Sequence, residues 1–161
     1  MVGEFGEVQV MDWGLAFAFQ ATEFPEFQDL AATSSGPAGT PAYMSPEQAL
    51  GVDDQIGTWS DVYLLGAILY EILTGAPPHP GKTILAVLLA AQEGKIVSPS
   101  ERAPDRDIPY DLEELCLAAL KAKPTERLQK VGEFKVRLEL YQAHREALGL
   151  IDRARQLLLL K

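Results

Sequence analysis

Residues 60–74 read Ser-Asp-Val-Tyr-Leu-Leu-Gly-Ala-Ile-Leu-Tyr-Glu-Ile-Leu-Thr. The run is long enough for four helical turns and is apolar nearly all round. A helix of that kind has no solvent face and is expected to be buried on every side. Gly75 and the pair Pro77 and Pro78 stop it, because glycine takes the left-handed cap and proline cannot continue a helix. The rest of the chain must therefore wrap this segment. With 161 residues, 47% of them hydrophobic, there is material for one compact domain and not comfortably for two.

The wrapping elements read as further helices. Ser45-Pro46-Glu47 is a helix start, with serine as cap and proline at the first helical position, and a short helix follows to Leu50. Residues 82–93 carry Ile84, Leu85, Val87, Leu88 and Leu89, and residues 110–121 place Leu112, Leu115, Cys116, Ala119 and Leu120 on one face. Residues 98–109, between them, read as a loop rich in proline and charge. Pro124 is expected to open the next helix, where Leu128, Val131, Phe134, Leu138 and Tyr141 recur every three or four positions. The pattern stays helical to Lys161, with Gly149 as an expected interruption and Leu157 to Leu160 as a buried terminal face. Residues 1–12 alternate and read as a short β-hairpin turning near Gly6. Residues 13–45 have no clear period, and a loop that long inside a compact domain is commonly functional. No βαβ alternation occurs, so the expected class is mainly α: a short N-terminal hairpin, a long loop, and five or six helices.

Charge and cysteine content narrow the partners. A net charge of −9 argues against a nucleic-acid backbone as ligand, which needs a basic footprint. Cys116 stands alone, so no internal disulfide forms, and a reducing, cytoplasmic setting is expected. No basic segment followed by an apolar core opens the chain, so no signal peptide is expected. No apolar run reaches the roughly 20 residues of a membrane span, so a membrane is not expected as a partner for this segment.

Three stretches resemble phosphate or metal sites. Gly3-Glu4-Phe5-Gly6-Glu7-Val8 looks like half of a glycine loop, but reads as the hairpin turn. Pro80-Gly81-Lys82-Thr83 looks like the end of a phosphate loop. However, the required earlier glycine position holds Ala76, and the segment follows a helix rather than a strand. Lys82 and Thr83 are instead expected at a helix start. Asp12-Trp13-Gly14 differs, since an aspartate directly after a strand and close before glycine can offer its carboxylate to a hard cation.

Asp12-Trp13-Gly14, the run Gly-Thr-Pro-Ala-Tyr-Met-Ser-Pro-Glu at 39–47, the helix at 60–75 and Lys-Ala-Lys-Pro-Thr-Glu-Arg at 121–127 occur in that order. Together they resemble the catalytic domain of Ser/Thr protein kinases, especially the bacterial, eukaryotic-like branch. The resemblance runs to about residue 140 and implies a partial kinase domain over 1–140, with residues 141–161 as a helical extension. It implies that Asp12 holds Mg²⁺ against the phosphates of ATP. Trp13 replaces the usual phenylalanine. Thr40 matches the threonine near the catalytic aspartate, and Gly39, Thr40, Pro41 and Tyr43 match the loop that receives the protein substrate. Glu47 and Arg127 match a buried structural ion pair, and Asp61 matches the anchor of the catalytic-loop backbone, although a helix-start carboxylate would look the same. Thr33, Ser34 and Ser35 match the region of activation-loop phosphorylation.

The family also needs a glycine-rich loop, a strand lysine, its glutamate partner and a His-Arg-Asp loop, and none of these occurs in the 161 residues. His79 and His144 lie in the wrong context for that loop. The chain therefore reads as the C-terminal lobe of a kinase, beginning just after the catalytic loop and inactive alone. In the complete enzyme the reaction would be ATP- and Mg²⁺-dependent phosphorylation of protein Ser or Thr. The alternative is a non-catalytic, kinase-derived binding or scaffold module. The helix at 61–73 would lack one neighbour and leave an apolar face open.

Overall fold

The computed structural model describes residues 8–11 and 39–159, and the expected hairpin and most of the long loop lie outside the described residues. Of the hairpin, only Val8 to Met11 is described, with Val8, Val10 and Met11 exposed. The described elements are α1 (Pro46–Leu50), α2 (Thr58–Thr74), α3 (Ile84–Glu93), α4 (Pro99–Arg102), α5 (Tyr110–Ala119) and α6 (Val131–Leu159), with 3-10 turns at Asp53–Gln55 and Pro124–Glu126. The mainly α class is as expected.

α2 is the axis of the body. Its residues Val62, Tyr63, Ala67, Leu69, Tyr70 and Leu73 join Leu115, Cys116 and Ala119 of α5 and Phe134 of α6 in one core. Gly66 lets α2 and α5 meet closely, since a Cβ there would stand 2.7 Å from that of Ala119. The Cys116 thiol points at the Gly66 carbonyl at 3.5 Å, and burial pushes it up to about 12. Such a thiol stays protonated and unreactive. Gly75 closes the helix at φ 80, and Arg106 Nη1 donates to the terminal carbonyls of Leu73 (2.9 Å) and Ile72 (3.3 Å). A cation at that end suits the helix dipole.

The expectation that this helix is buried on every side is corrected. Asp61, Ile68 and Ile72 are exposed and Leu65 is only partly covered. Their spacing of four, three and four puts them on one face.

The starts and stops are mostly as the sequence indicates. Ser45 caps α1 and shares a capping box with Gln48, and Pro46 takes the first position. Thr83 caps α3 by accepting from Ala86 N at 3.2 Å, so Pro80-Gly81-Lys82-Thr83 is a helix entry and not a phosphate loop. α3 packs on α1 through Ala91, Ala49 and Met44. The region read as a loop at 98–109 contains α4, with Pro99 at its first position as Pro46 is in α1 but with no side-chain cap from Ser98.

Two boundaries are corrected. Pro124 opens only the 3-10 turn, and α6 begins at Val131, because Arg127 is extended (φ −84, ψ 159) with its side chain drawn into the core. Gly149 does not interrupt α6. An isolated glycine costs about 1 kcal/mol in a helix, too little to break one that has propagated on both sides. α6 docks through Phe134 and Leu138, while the side chains described beyond residue 141 are almost all exposed. The side chains of Leu157 to Leu160 lie outside the described residues.

Candidate functional site

Glu47 and Arg127 are 80 residues apart and meet in the core. Arg127 Nη1 is 2.7 Å from Glu47 Oε1 and Nη2 is 3.1 Å from Oε2, with both side chains at or below 1% exposure. The remaining guanidinium donors reach Trp59 O (2.9 Å), Ala122 O (3.2 Å) and Lys121 O (3.0 Å). All five N–H groups are thus satisfied. Ser60 Oγ donates to Glu47 Oε1 at 2.7 Å and accepts from Gly57 N at 3.2 Å. Burial alone would push the Glu47 carboxyl up, but the hydrogen bonds from Arg127 and Ser60 outweigh it and hold the group below its ordinary value. The pair joins α1 to the turn before α6 across the start of α2.

The segment beside it is the loop at 39–44. Gly39 has φ 122, a conformation that suits glycine. Thr40 is exposed, and its carbonyl accepts from Tyr43 N at 3.0 Å. The Pro41 carbonyl accepts from Met44 N at 3.3 Å, so the chain makes a tight turn before Ser45. Tyr43 is half-buried and donates to Glu71 Oε2 of α2 at 2.5 Å. That hydrogen bond, followed by burial and the Glu71 charge, raises the Tyr43 hydroxyl above its ordinary value.

His79 backs this loop and is 1% exposed. Its Nε2 lies 3.1 Å from Met44 O and 2.9 Å from Tyr63 Oη, and its backbone N donates to Ala42 O at 3.4 Å. A carbonyl can only accept, so the Met44 contact places the ring proton on Nε2. Nδ1 is then a bare acceptor, and it is buried with no hydrogen-bond partner. Burial pushes the imidazole below its ordinary value, against the opposite pull of the Met44 carbonyl. The ring stacks on Tyr63, with centroids 6.0 Å apart and planes 6° from parallel, while the Arg127 guanidinium sits 4.7 Å from the centre of the Tyr63 ring. Tyr63 therefore connects the ion pair to the loop.

Of the residues singled out from sequence, Gly39, Thr40, Pro41 and Tyr43 share one turn, and Glu47 and Arg127 pair next to it. Asp61 lies in the first turn of α2, exposed and without a hydrogen-bond or ion-pair partner among the described residues, and partial burial pushes its carboxyl up. Asp12, Thr33, Ser34 and Ser35 lie outside the described residues. Sequence reasoning missed Ser60, Glu71 and His79. Ser60 and Glu71 carried a signal as polar residues inside an otherwise apolar helix. His79, between two prolines, carries no local signal beyond its failure to fit a catalytic loop.

The protein kinase domain family matches residues 1–135. The chain is 38% identical over 144 residues to the serine/threonine-protein kinase PknB of Mycolicibacterium smegmatis, covering 89% of this chain and 21% of that protein. It is 34% identical over 154 residues to the serine/threonine-protein kinase PknD of Chlamydia muridarum, covering 86% and 16%. For PknB of Mycobacterium leprae the figures are 37% over 144 residues, 89% and 21%. The chain thus spans about a fifth or less of the length of these curated relatives.

Proposed function

The chain belongs to the protein kinase domain family, and on that premise we propose that it is the C-terminal-lobe part of a Ser/Thr protein kinase. The complete enzyme transfers the γ-phosphate of ATP to Ser or Thr hydroxyls of protein substrates in the cytoplasm. The observation that supports this reading is the buried, bidentate Glu47–Arg127 pair, formed by the two residues that the resemblance matched to an ion pair. It braces the entry to α1 directly behind the turn at 39–44.

In this reading Gly39, Thr40, Pro41 and Tyr43 present the turn against which a substrate peptide lies. Thr40 hydrogen-bonds near the catalytic aspartate, and Asp61 holds the backbone of the catalytic loop. Thr33, Ser34 and Ser35 are the sites at which the enzyme is switched by phosphorylation. Asp12 is the magnesium ligand, and bound Mg²⁺ would neutralise charge on the β- and γ-phosphates of ATP. Among the described residues no group of three or more His, Cys, Asp or Glu side chains gathers, so the magnesium role rests on the place of Asp12 in its motif. No described helix is long and apolar enough to cross a membrane. The kinase part ends near residue 140, where α6 leaves the body, and residues 141–161 form an extension.

The test is phosphate transfer from labelled ATP. The 161-residue chain alone is expected to give none, because it contains no His-Arg-Asp. The full-length protein is expected to phosphorylate Ser or Thr, and Asp12→Ala should abolish that transfer. Undiminished autophosphorylation in Asp12→Ala would overturn the assignment.

A further inference from the structure

We infer that His79 is a positioning residue for the peptide-docking turn at 39–44, holding it against α2 through Nε2. This rests on the kinase reading of that turn. Two hydrogen bonds and one close contact support it. The His79 ring meets the carbonyl of Met44, its backbone N–H meets the carbonyl of Ala42, and its far contact is the Tyr63 hydroxyl on α2. The two carbonyls bracket Tyr43, whose own hydroxyl is tied to Glu71 on the same helix. The turn is therefore fastened on both sides of Tyr43 to His79, in the segment after α2, and through Tyr43 itself to α2.

The unpartnered Nδ1 strengthens the point. A buried nitrogen with no hydrogen bond opposes folding, and an apolar ring would fill the same stacked position without that penalty. An imidazole here is explained by what Nε2 does. Arg127 is fully occupied by Glu47 and by carbonyls, so it offers nothing to the turn in its place. Removing Nε2 would leave the Met44 carbonyl without its side-chain donor and free the turn to swing from α2. A substrate peptide would then have to order the turn as it binds, which weakens docking without touching the phosphate-transfer step.

The experiment uses His79→Phe, which keeps the stacked ring and removes both nitrogens, and His79→Gln, whose amide N–H can still reach the Met44 carbonyl. Amide hydrogen exchange of Tyr43 and Met44, which donate within the turn, is measured in the 161-residue chain. His79→Phe is expected to speed exchange at these two amides about tenfold, the scale of one lost hydrogen bond, while core amides such as those of Ala67 and Cys116 keep their protection. His79→Gln should restore the slow exchange. In the full-length enzyme, His79→Phe should raise KM for a serine peptide by a similar factor, with kcat and KM for ATP within about twofold of wild type. Exchange that is unchanged, or that rises equally in turn and core, would overturn the positioning role. A loosened turn with an unchanged peptide KM would overturn its link to docking. A wild-type protein that phosphorylates no peptide would instead remove the kinase reading, and the exchange result would still decide whether His79 holds the turn.

Discussion

Two polar centres lie on either side of the buried Tyr63, and they are built in opposite ways. At Glu47 and Arg127 every guanidinium N–H has an acceptor, and the carboxylate takes three hydrogen bonds from side chains. At His79 one ring nitrogen is bonded and the other has nothing. The first is a fixed strut, because breaking any part strands a charge in the core. The second is a latch whose loss leaves no stranded charge. A buried network resists change in proportion to how completely it is satisfied and how much charge it carries.

The sharpest way to break the contrast is Arg127→Ala. It leaves the Glu47 carboxylate buried and unpaired, and should cost about 3–5 kcal/mol by urea denaturation. A result below about 1 kcal/mol would mean the strut is not one. Replacing both partners together, as in Glu47→Leu with Arg127→Met, should be far milder, since no charge is then stranded. Ser60→Ala comes next. It removes one hydrogen bond to a charged acceptor and should cost about 1.5–3 kcal/mol, read as a lowered Tm.

The smallest effect separates the two centres by pH. The folded His79 imidazole sits below its ordinary value, so the unfolded chain binds the proton first as pH falls. Stability should therefore decline below about pH 6.5, by up to about 1.4 kcal/mol per unit, until the lower folded value is reached. His79→Phe should flatten that limb. Glu47 is held low, so its contribution is present above the unfolded carboxylate value near pH 4.3 and is lost as pH falls through the folded one. That acid limb should survive in His79→Phe and shrink in Glu47→Gln. Denaturation midpoints across pH 3 to 8 check both. A near-neutral limb that persists in His79→Phe would assign it to another group.

Much of the site was legible because order and spacing of residue types carry it. Glu47 and Arg127 were paired by the family resemblance, and the structure places them 2.7 Å apart. Thr40 and Tyr43 were matched to one loop, which the structure closes into a tight turn. Ser60 and Glu71 were passed over because the apolar run around them dominated the reading of α2, although a polar group inside such a run has to find a partner. His79 was harder, since neither of its partners on the loop and on α2 is a sequence neighbour.

Local chemistry alone determined where helices begin and end when the signal was a backbone one. Ser45 with Pro46, Thr83 before Ile84, and Gly75 after Thr74 each act through their own φ, their own oxygen or a missing Cβ, and the structure uses all three. Tertiary contacts decided the cases in which a distant group outbid the local preference. Pro124 yields only one tight turn because the Arg127 side chain must reach Glu47, and α2 is covered on one side only because cover depends on what else packs there. A capping bond joins atoms within a few residues of one another, whereas burial is shared among segments that meet only once the chain has folded.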